Sequence, residues 1–255
     1  MFFDSHNHLQ RFSDPARIIA EMQEAGIEGC VVNGTTEEDW EAVGRLAGDH
    51  PDFVRPAFGL HPWYIAKRSD RWLERLQEFL DRFPGASIGE IGFDGWIDGP
   101  SLEEQRKVFL PQLALARERQ LPVTIHALKA WDPLFSAFKE ETPPEKFLLH
   151  SFGGSVELVE RLAPMGAWFS FSGYFLQPRK AKVLESYKAV PLDRLLLETD
   201  APEMMPPEDF VSHPLAGMNH PANLARIGEG LGAALGIGSA RLAELTRANH
   251  ASFFS

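Results

Sequence analysis

The opening stretch MFFDSHNHLQ places Asp4, His6 and His8 at alternate positions behind two phenylalanines. Alternate side chains of a strand share a face, so His6 and His8 point the same way and can grip one ion together. Four further polar groups end apolar runs in the same manner. They are Glu90 in SIGEIGFD, His126 in PVTIHA, His150 in KFLLHS and Asp200 in RLLLETDAP. A single histidine at a strand end is ordinarily a structural group. The recurrence of imidazoles and carboxylates at the ends of five runs points instead to metal ligation. This donor set exceeds the three protein ligands plus water of a catalytic zinc. It suits two divalent ions about 3.5–4 Å apart, with Glu90 as the natural bridge because a carboxylate offers two oxygens. Imidazole with carboxylate suits zinc, manganese, nickel or iron without choosing among them. Magnesium, which favours an oxygen-rich shell, is less expected.

The elements that must position these groups can be read from local pattern. Short β-rich runs bounded by glycine, proline or polar residues recur at 2–8, 29–33, 54–60, 86–91, 122–126, 146–150, 167–171 and 194–198. Between them, helical spacing is expected at 15–25, 69–83, 131–140, 155–163, 178–189, 221–233 and 239–250. Ser101 followed by Glu104 reads as a capping box opening one more helix that runs to about 119. Strands alternating with helices imply parallel pairing through right-handed crossovers. An open doubly wound sheet and a closed (β/α)8 barrel both satisfy that rule, and a chain of 255 residues has the typical barrel size. The expectation is a (β/α)8 TIM barrel forming a single domain over 1–255. In a barrel the carboxyl ends of the strands share one mouth, where His6, His8, Glu90, His126, His150 and Asp200 would meet.

Composition narrows the partners. The formal net charge of −11 argues against broad adhesion to nucleic acid or an anionic membrane, while leaving room for a phosphodiester held at a small cationic site. Cys30 is the one cysteine, so no internal disulfide is expected and a reducing, cytoplasmic setting is the natural reading. There is no basic leader ahead of an apolar stretch and no 18-residue apolar run, so no membrane association is expected. No obligate protein partner is implied.

Six motifs carry a family resemblance. DSHNHL at 4–9, GLHP at 59–62, IGEIGFD at 88–94, LPVTIHA at 121–127, LLHSFGG at 148–154 and LLLETDAP at 195–202 resemble, in order and spacing, the TatD-like metal-dependent hydrolases. The resemblance implies a (β/α)8 fold, a dimetal centre and deoxyribonuclease activity. It assigns one ion to His6, His8, Glu90 and Asp200, and the second to Glu90, His126 and His150. The chemistry it implies is attack on a phosphodiester, transiently bound DNA included, by a hydroxide activated between the metals. Glu90 and Asp200 are then the catalytic carboxylates, Asp200 either as a ligand alone or also as the group orienting the water.

The chain departs from the family where an arginine is usual two places after His126. Leu128 stands there, followed by Lys129. His150-Ser151-Phe152-Gly153-Gly154 and Asn219-His220-Pro221 are departures of the same kind. Hydrolysis of carboxylic esters or amides, including deacylation of aminoacyl-tRNA, is therefore the alternative. His61 and Lys129 are candidate substrate contacts, with turn stabilisation beside Pro62 as the other reading of His61. Arg179 and Lys180 also follow a strand. Trp63, Tyr64 and Trp96 are either rim groups that stack bases or loop packing. Asp4 and Asp94 are expected to support the site, and His50, His213, His220 and His250 to be surface or loop groups.

Overall fold

Apolar residues dominate eight short runs, and all eight are strands in the computed structural model, which describes residues 2–255. They are β1 (Phe2–Asn7), β2 (Ile27–Asn33), β3 (Val54–Phe58), β4 (Ser87–Asp94), β5 (Val123–Leu128), β6 (Phe147–Leu149), β7 (Ala167–Ser172) and β8 (Leu195–Glu198). They form one sheet in the order β1 to β8. Parallel neighbours need a crossover, and helices supply it. These are α1 (Pro15–Glu24), α2 (Trp40–Asp49), α3 (Trp72–Arg82), α4 (Leu102–Glu118), α5 (Trp131–Glu140), α6 (Val156–Leu162), α7 (Ala181–Ser186), α8 (Leu224–Leu235) and α9 (Ser239–Phe253). Past the end of β8 the chain runs on beside β1. Asp200 N donates to the His6 carbonyl at 3.0 Å, and His8 N to the Ala201 carbonyl at 2.8 Å. The fold is the (β/α)8 barrel.

Two compact units divide the chain. One comprises the chain up to Val31 together with Ser151–Ser255, and the other is Val32–His150. In the first, Phe2, Ile227, Leu231, Leu242 and Phe253 are buried, and the Trp168 and Phe253 rings lie 5.3 Å apart. Asp14 caps α1 by accepting from Arg17 N, and Pro15 fills the first helical position, where no amide hydrogen is needed. In the second unit, aromatic pairs tie helices to strands. Phe79 lies 5.1 Å from Phe58, Phe109 lies 4.8 Å from Phe93, and Phe138 lies 5.2 Å from Phe147. The capping box at the start of α4 is present, with Glu104 N donating to Ser101 Oγ and Ser101 N to Glu104.

The local pattern misled in three places. Helix α2 was not expected because Gly44 and Gly48 dilute its apolar stripe, yet Trp40, Val43, Leu46 and Ala47 are buried. The helix expected over 178–189 is broken into two 3-10 turns flanking the short α7. There Tyr187 is drawn inward, its hydroxyl 2.6 Å from the Ser170 carbonyl and 2.9 Å from that of Phe152. The helix expected from 221 opens as a 3-10 turn, Pro221–Asn223, capped by Nδ1 of His220, which accepts from Ala222 N. Among the described residues no helix is long and apolar enough to cross a membrane.

Candidate metal centre

Strand β4 is buried along its whole length and carries Glu90 among apolar neighbours. A buried carboxylate is costly unless it is paired, and three imidazoles surround this one. Glu90 Oε1 lies 3.1 Å from His61 Nε2, 3.1 Å from His126 Nδ1 and 2.8 Å from His150 Nε2. His126 Nδ1 is itself 3.3 Å from His150 Nε2. Burial alone would raise the Glu90 pKa, but His61, His150 and His126 together hold it well below the usual carboxylate range. The opposite shift appears at His61, where burial outweighs the attraction of Glu90 and lowers the imidazole to about 4. Its Nδ1 accepts from Trp63 N at 3.2 Å, so His61 both orders the turn after β3 and faces Glu90.

The far nitrogen of His126 is held by Asp94. His126 Nε2 lies 2.9 Å from Asp94 Oδ2, which also accepts from Trp63 Nε1 at 2.8 Å. Asp94 Oδ1 accepts from the backbone amides of Trp96 and Ile97. Burial would raise this carboxyl, but these hydrogen bonds, that of His126 first, depress it far below its ordinary value. An imidazole that gives one N–H to a carboxylate presents its other nitrogen as a lone pair, the usual arrangement of a metal-ligating histidine. Asp94 thus fixes Nδ1 as the nitrogen directed at Glu90. Glu90, Gly92 and Asp94 alternate along β4 on one face, a parity visible in IGEIGFD. Gly92 has φ +147, and a Cβ there would overlap the carbonyl oxygen of His126.

The other unit brings together His6, His8 and Asp200. Nε2 of His6 and of His8 lie 3.5 and 3.6 Å from Asp200 Oδ1. Beneath them, Asp4 accepts from Thr199 N at 2.9 Å, Thr199 Oγ1 at 2.6 Å and Asn7 Nδ2 at 3.0 Å, which ties β1 to the exit of β8. Burial pushes the Asp4 carboxyl up to about 7 against these bonds. Asp4 is therefore a buried tie between strands.

Asp200 sits at φ 55, and Lys129 and Ser151, which follow the ends of β5 and β6, sit at φ 50 and 41. For residues with a Cβ this left-handed conformation costs roughly 1–2 kcal/mol and is characteristic of functional loops. Ser151 is held there by Glu198, which accepts from its amide and its hydroxyl, both at 2.6 Å. Glu198, buried in an apolar strand, escaped sequence reasoning. Its signal was an acidic residue inside the run LLLE.

Both donor sets fit a divalent ion. In a tetrahedral shell with bonds near 2.0–2.1 Å, adjacent donors lie about 3.4 Å apart. The donor atoms of His6, His8 and Asp200, and those of His61, Glu90 and His126, lie within 4.8 Å of one another in each group. His61 thus joins the residues able to hold a metal as well as those able to meet substrate. The remaining candidates make other contacts. Lys129 places its ammonium 4.6 Å from the centre of the Trp96 ring, and Arg179 and Lys180 lie against Tyr174. His220 is not a surface group. It is buried and lies 2.7 Å from Glu21 Oε2. His213 stacks 5.4 Å from His220, and His250 stacks 4.4 Å from Phe3.

The profile of the family described as TatD related DNase matches residues 3–255. The chain is 35% identical over 231 residues to the metal-dependent hydrolase YjjV of Escherichia coli K12, with 89% of this chain and 87% of that one covered. It is 31% identical to the 3'-5' ssDNA/RNA exonuclease TatD of Erwinia tasmaniensis, covering 95% of this chain and 94% of that one. The crystal structure of E. coli YjjV superposes with a TM-score of 0.90 at 31% identity, over 99% of this chain and 97% of that one. A TatD-family hydrolase structure from Entamoeba histolytica, at 18% identity and TM-score 0.86, shares the fold. The chain belongs to the TatD-related DNase family and is by family a metal-dependent hydrolase.

Proposed function

We propose that the protein is a divalent-metal-dependent phosphodiesterase acting on DNA or RNA ends or single strands, with two ions held by His6, His8, Glu90, His126, His150 and Asp200. The observation that carries this reading is the convergence of His61, His126 and His150 on one oxygen of the buried Glu90. Exonuclease activity on single-stranded nucleic acid is the named activity of the Erwinia relative. Zinc, manganese, nickel and iron all suit the donors. When bound, such ions supply an activated water and stabilise charge on phosphoryl oxygens.

The chain's own contribution is preorganisation. Glu90 is held ionised and His61 neutral, so their oxygens and lone pairs stay available at neutral pH. Asp94 fixes the His126 tautomer. Asp200 and Glu90 are the catalytic carboxylates in this reading, with His61 and Lys129 on the substrate side. One domain spanning the chain agrees with a family match over 3–255. A cytoplasmic setting agrees with a buried Cys30 thiol outside any disulfide.

The test offers purified protein of measured metal content a chromogenic phosphate diester, single-stranded DNA and an aryl ester side by side. Metal-dependent turnover of the diester and the DNA is expected. Turnover of the aryl ester alone would move the protein to carboxyl chemistry, the class that includes aminoacyl-tRNA deacylation. No turnover of any of them would leave a metal-binding protein without this catalysis. His126→Ala should lose one ion and at least about 100-fold in activity, in line with losses at metal sites. Glu90→Ala should lose the ion held with His126 and His150 and weaken the one on His6, His8 and Asp200, and retention of both ions at unchanged affinity would end its role as a shared ligand.

A further inference from the structure

Two tryptophans lie largely in water on the loops that follow β3 and β4. Of six in the chain, Trp40 and Trp168 are buried and Trp72 and Trp131 half-buried, whereas Trp63 is 48% and Trp96 69% exposed. Burying such a ring is worth roughly 2–3 kcal/mol, so two left in water at the edge of a polar site suggest a recognition surface. Loop packing, the plainer explanation, would cover them.

One carboxylate holds the Trp63 indole and the backbone of Trp96. Trp63 Nε1 donates to Asp94 Oδ2 at 2.8 Å and Trp96 N donates to Asp94 Oδ1 at 2.7 Å. The same Oδ2 holds His126, whose ring centre lies 6.4 Å from that of Trp63. His61 crosses Trp63 nearly at right angles at 5.3 Å. An indole anchored by its N–H is positioned without being enclosed. Cationic charge accompanies the Trp96 ring, because the Lys129 ammonium sits 4.6 Å from its centre. Exposed aromatic faces with an interleaved cation are the chemistry that binds unpaired bases and their phosphates. Paired bases are already stacked inside a duplex and present no free face to such rings.

We propose that Trp63 and Trp96 form a stacking platform for unpaired nucleobases beside the Glu90–His126 cluster, with Lys129 supplying charge for the adjoining phosphate. The assignment rests on the phosphodiesterase reading and narrows it to single-stranded ends. Asp94 then has two tasks, orienting His126 and aligning the platform with it.

The test measures binding of a labelled single-stranded oligonucleotide of about eight nucleotides, a length within the usual site sizes. Full-length metal-loaded protein is used, with a phosphorothioate backbone so that the strand is not cut. Stacking strengths predict that Trp96→Ala weakens binding about 5- to 100-fold, and that Trp96→Phe restores most of it. An abasic strand of equal length and charge should bind wild-type protein more weakly and barely respond to Trp96→Ala. Trp63→Ala should show the same selective loss. Equal affinity of Trp96→Ala and wild type overturns the platform, as does an equal loss on the abasic strand or no measurable binding by wild type. Hydrolysis of the small phosphate diester is scored separately. If it proceeds while the tryptophan variants bind normally, the platform fails and the enzyme reading stands. If it never proceeds, the enzyme reading fails whatever the binding shows.

Discussion

His126 illustrates how one side chain is set by its neighbours. Burial alone would lower its pKa, but hydrogen bonds to Asp94 and Glu90 outweigh burial and hold it above 6.5. A folded-state pKa raised above the unfolded value contributes stability that is fully present below the unfolded pKa and is lost as pH rises through the folded one. In the metal-free protein that window opens near 6.5 and extends upward. A ligating nitrogen must be deprotonated, so in the proposed centre ion and proton would compete for His126. Zinc or manganese affinity should therefore fall as pH drops through the raised His126 value, and uptake at neutral pH should release a proton. Calorimetry in buffers of different ionisation enthalpy measures that release, and uptake without it would contradict the assignment. His61, lowered to about 4, stays neutral in this range and contributes no proton.

Helix α4 shows how an element fixes a site it does not enter. Gln105 and Gln112 lie two turns apart on its buried face. Gln105 Oε1 accepts from Asp94 N at 2.8 Å and its Nε2 donates to the Asp94 carbonyl at 2.9 Å. Gln112 Oε1 accepts from Leu60 N at 2.7 Å, one residue before His61. The two amides thus staple the exits of β4 and β3. Gln105→Ala leaves buried backbone groups of Asp94 without these partners, at a cost of about 1–3 kcal/mol. A thermal melt should fall by several degrees, and an unchanged melting temperature would show that other contacts suffice. Gly92 matters for the opposite reason, the absence of a side chain. Gly92→Ala meets both a disfavoured φ and the His126 carbonyl, and should cost more than about 1 kcal/mol in chemical denaturation.

Over the whole molecule, electrostatics and stability would be linked through the candidate metal sites. A protein of net charge −11 repels a polyanion at long range, so attraction must be local. Divalent ions beside buried carboxylates would supply that local charge and would also bind the native state in preference to the unfolded one. Free metal at a hundred times its dissociation constant should stabilise the fold by about 2.7 kcal/mol per site. For a chain of this length that is a rise of roughly 5–10 °C in melting temperature, reversed by chelator. Calorimetry of the chelated and reconstituted protein checks it. Identical transitions would mean that these residues do not retain the metal.

The amino-acid sequence by itself determined the alternation of strands and helices, which together with chain length favoured the barrel, and the alternate-residue parity that puts His6 with His8 on a shared face. Those are short-range properties, fixed by backbone period and by which residues must leave water. It also marked the candidate donors, because ionisable groups at the ends of apolar runs are costly unless something compensates them. Only the tertiary structure decided which distant groups meet. It showed that Asp200 faces His6 and His8, that Asp94 joins His126 to Trp63, that His220 is buried beside Glu21, and that Trp63 and Trp96 remain in water. It also decided the form of 178–189, where the inward pull of Tyr187 accompanies a break in the helical pattern. Periodicity fixes the face a side chain occupies, but the partner waiting there comes from residues far along the chain, and packing alone selects it.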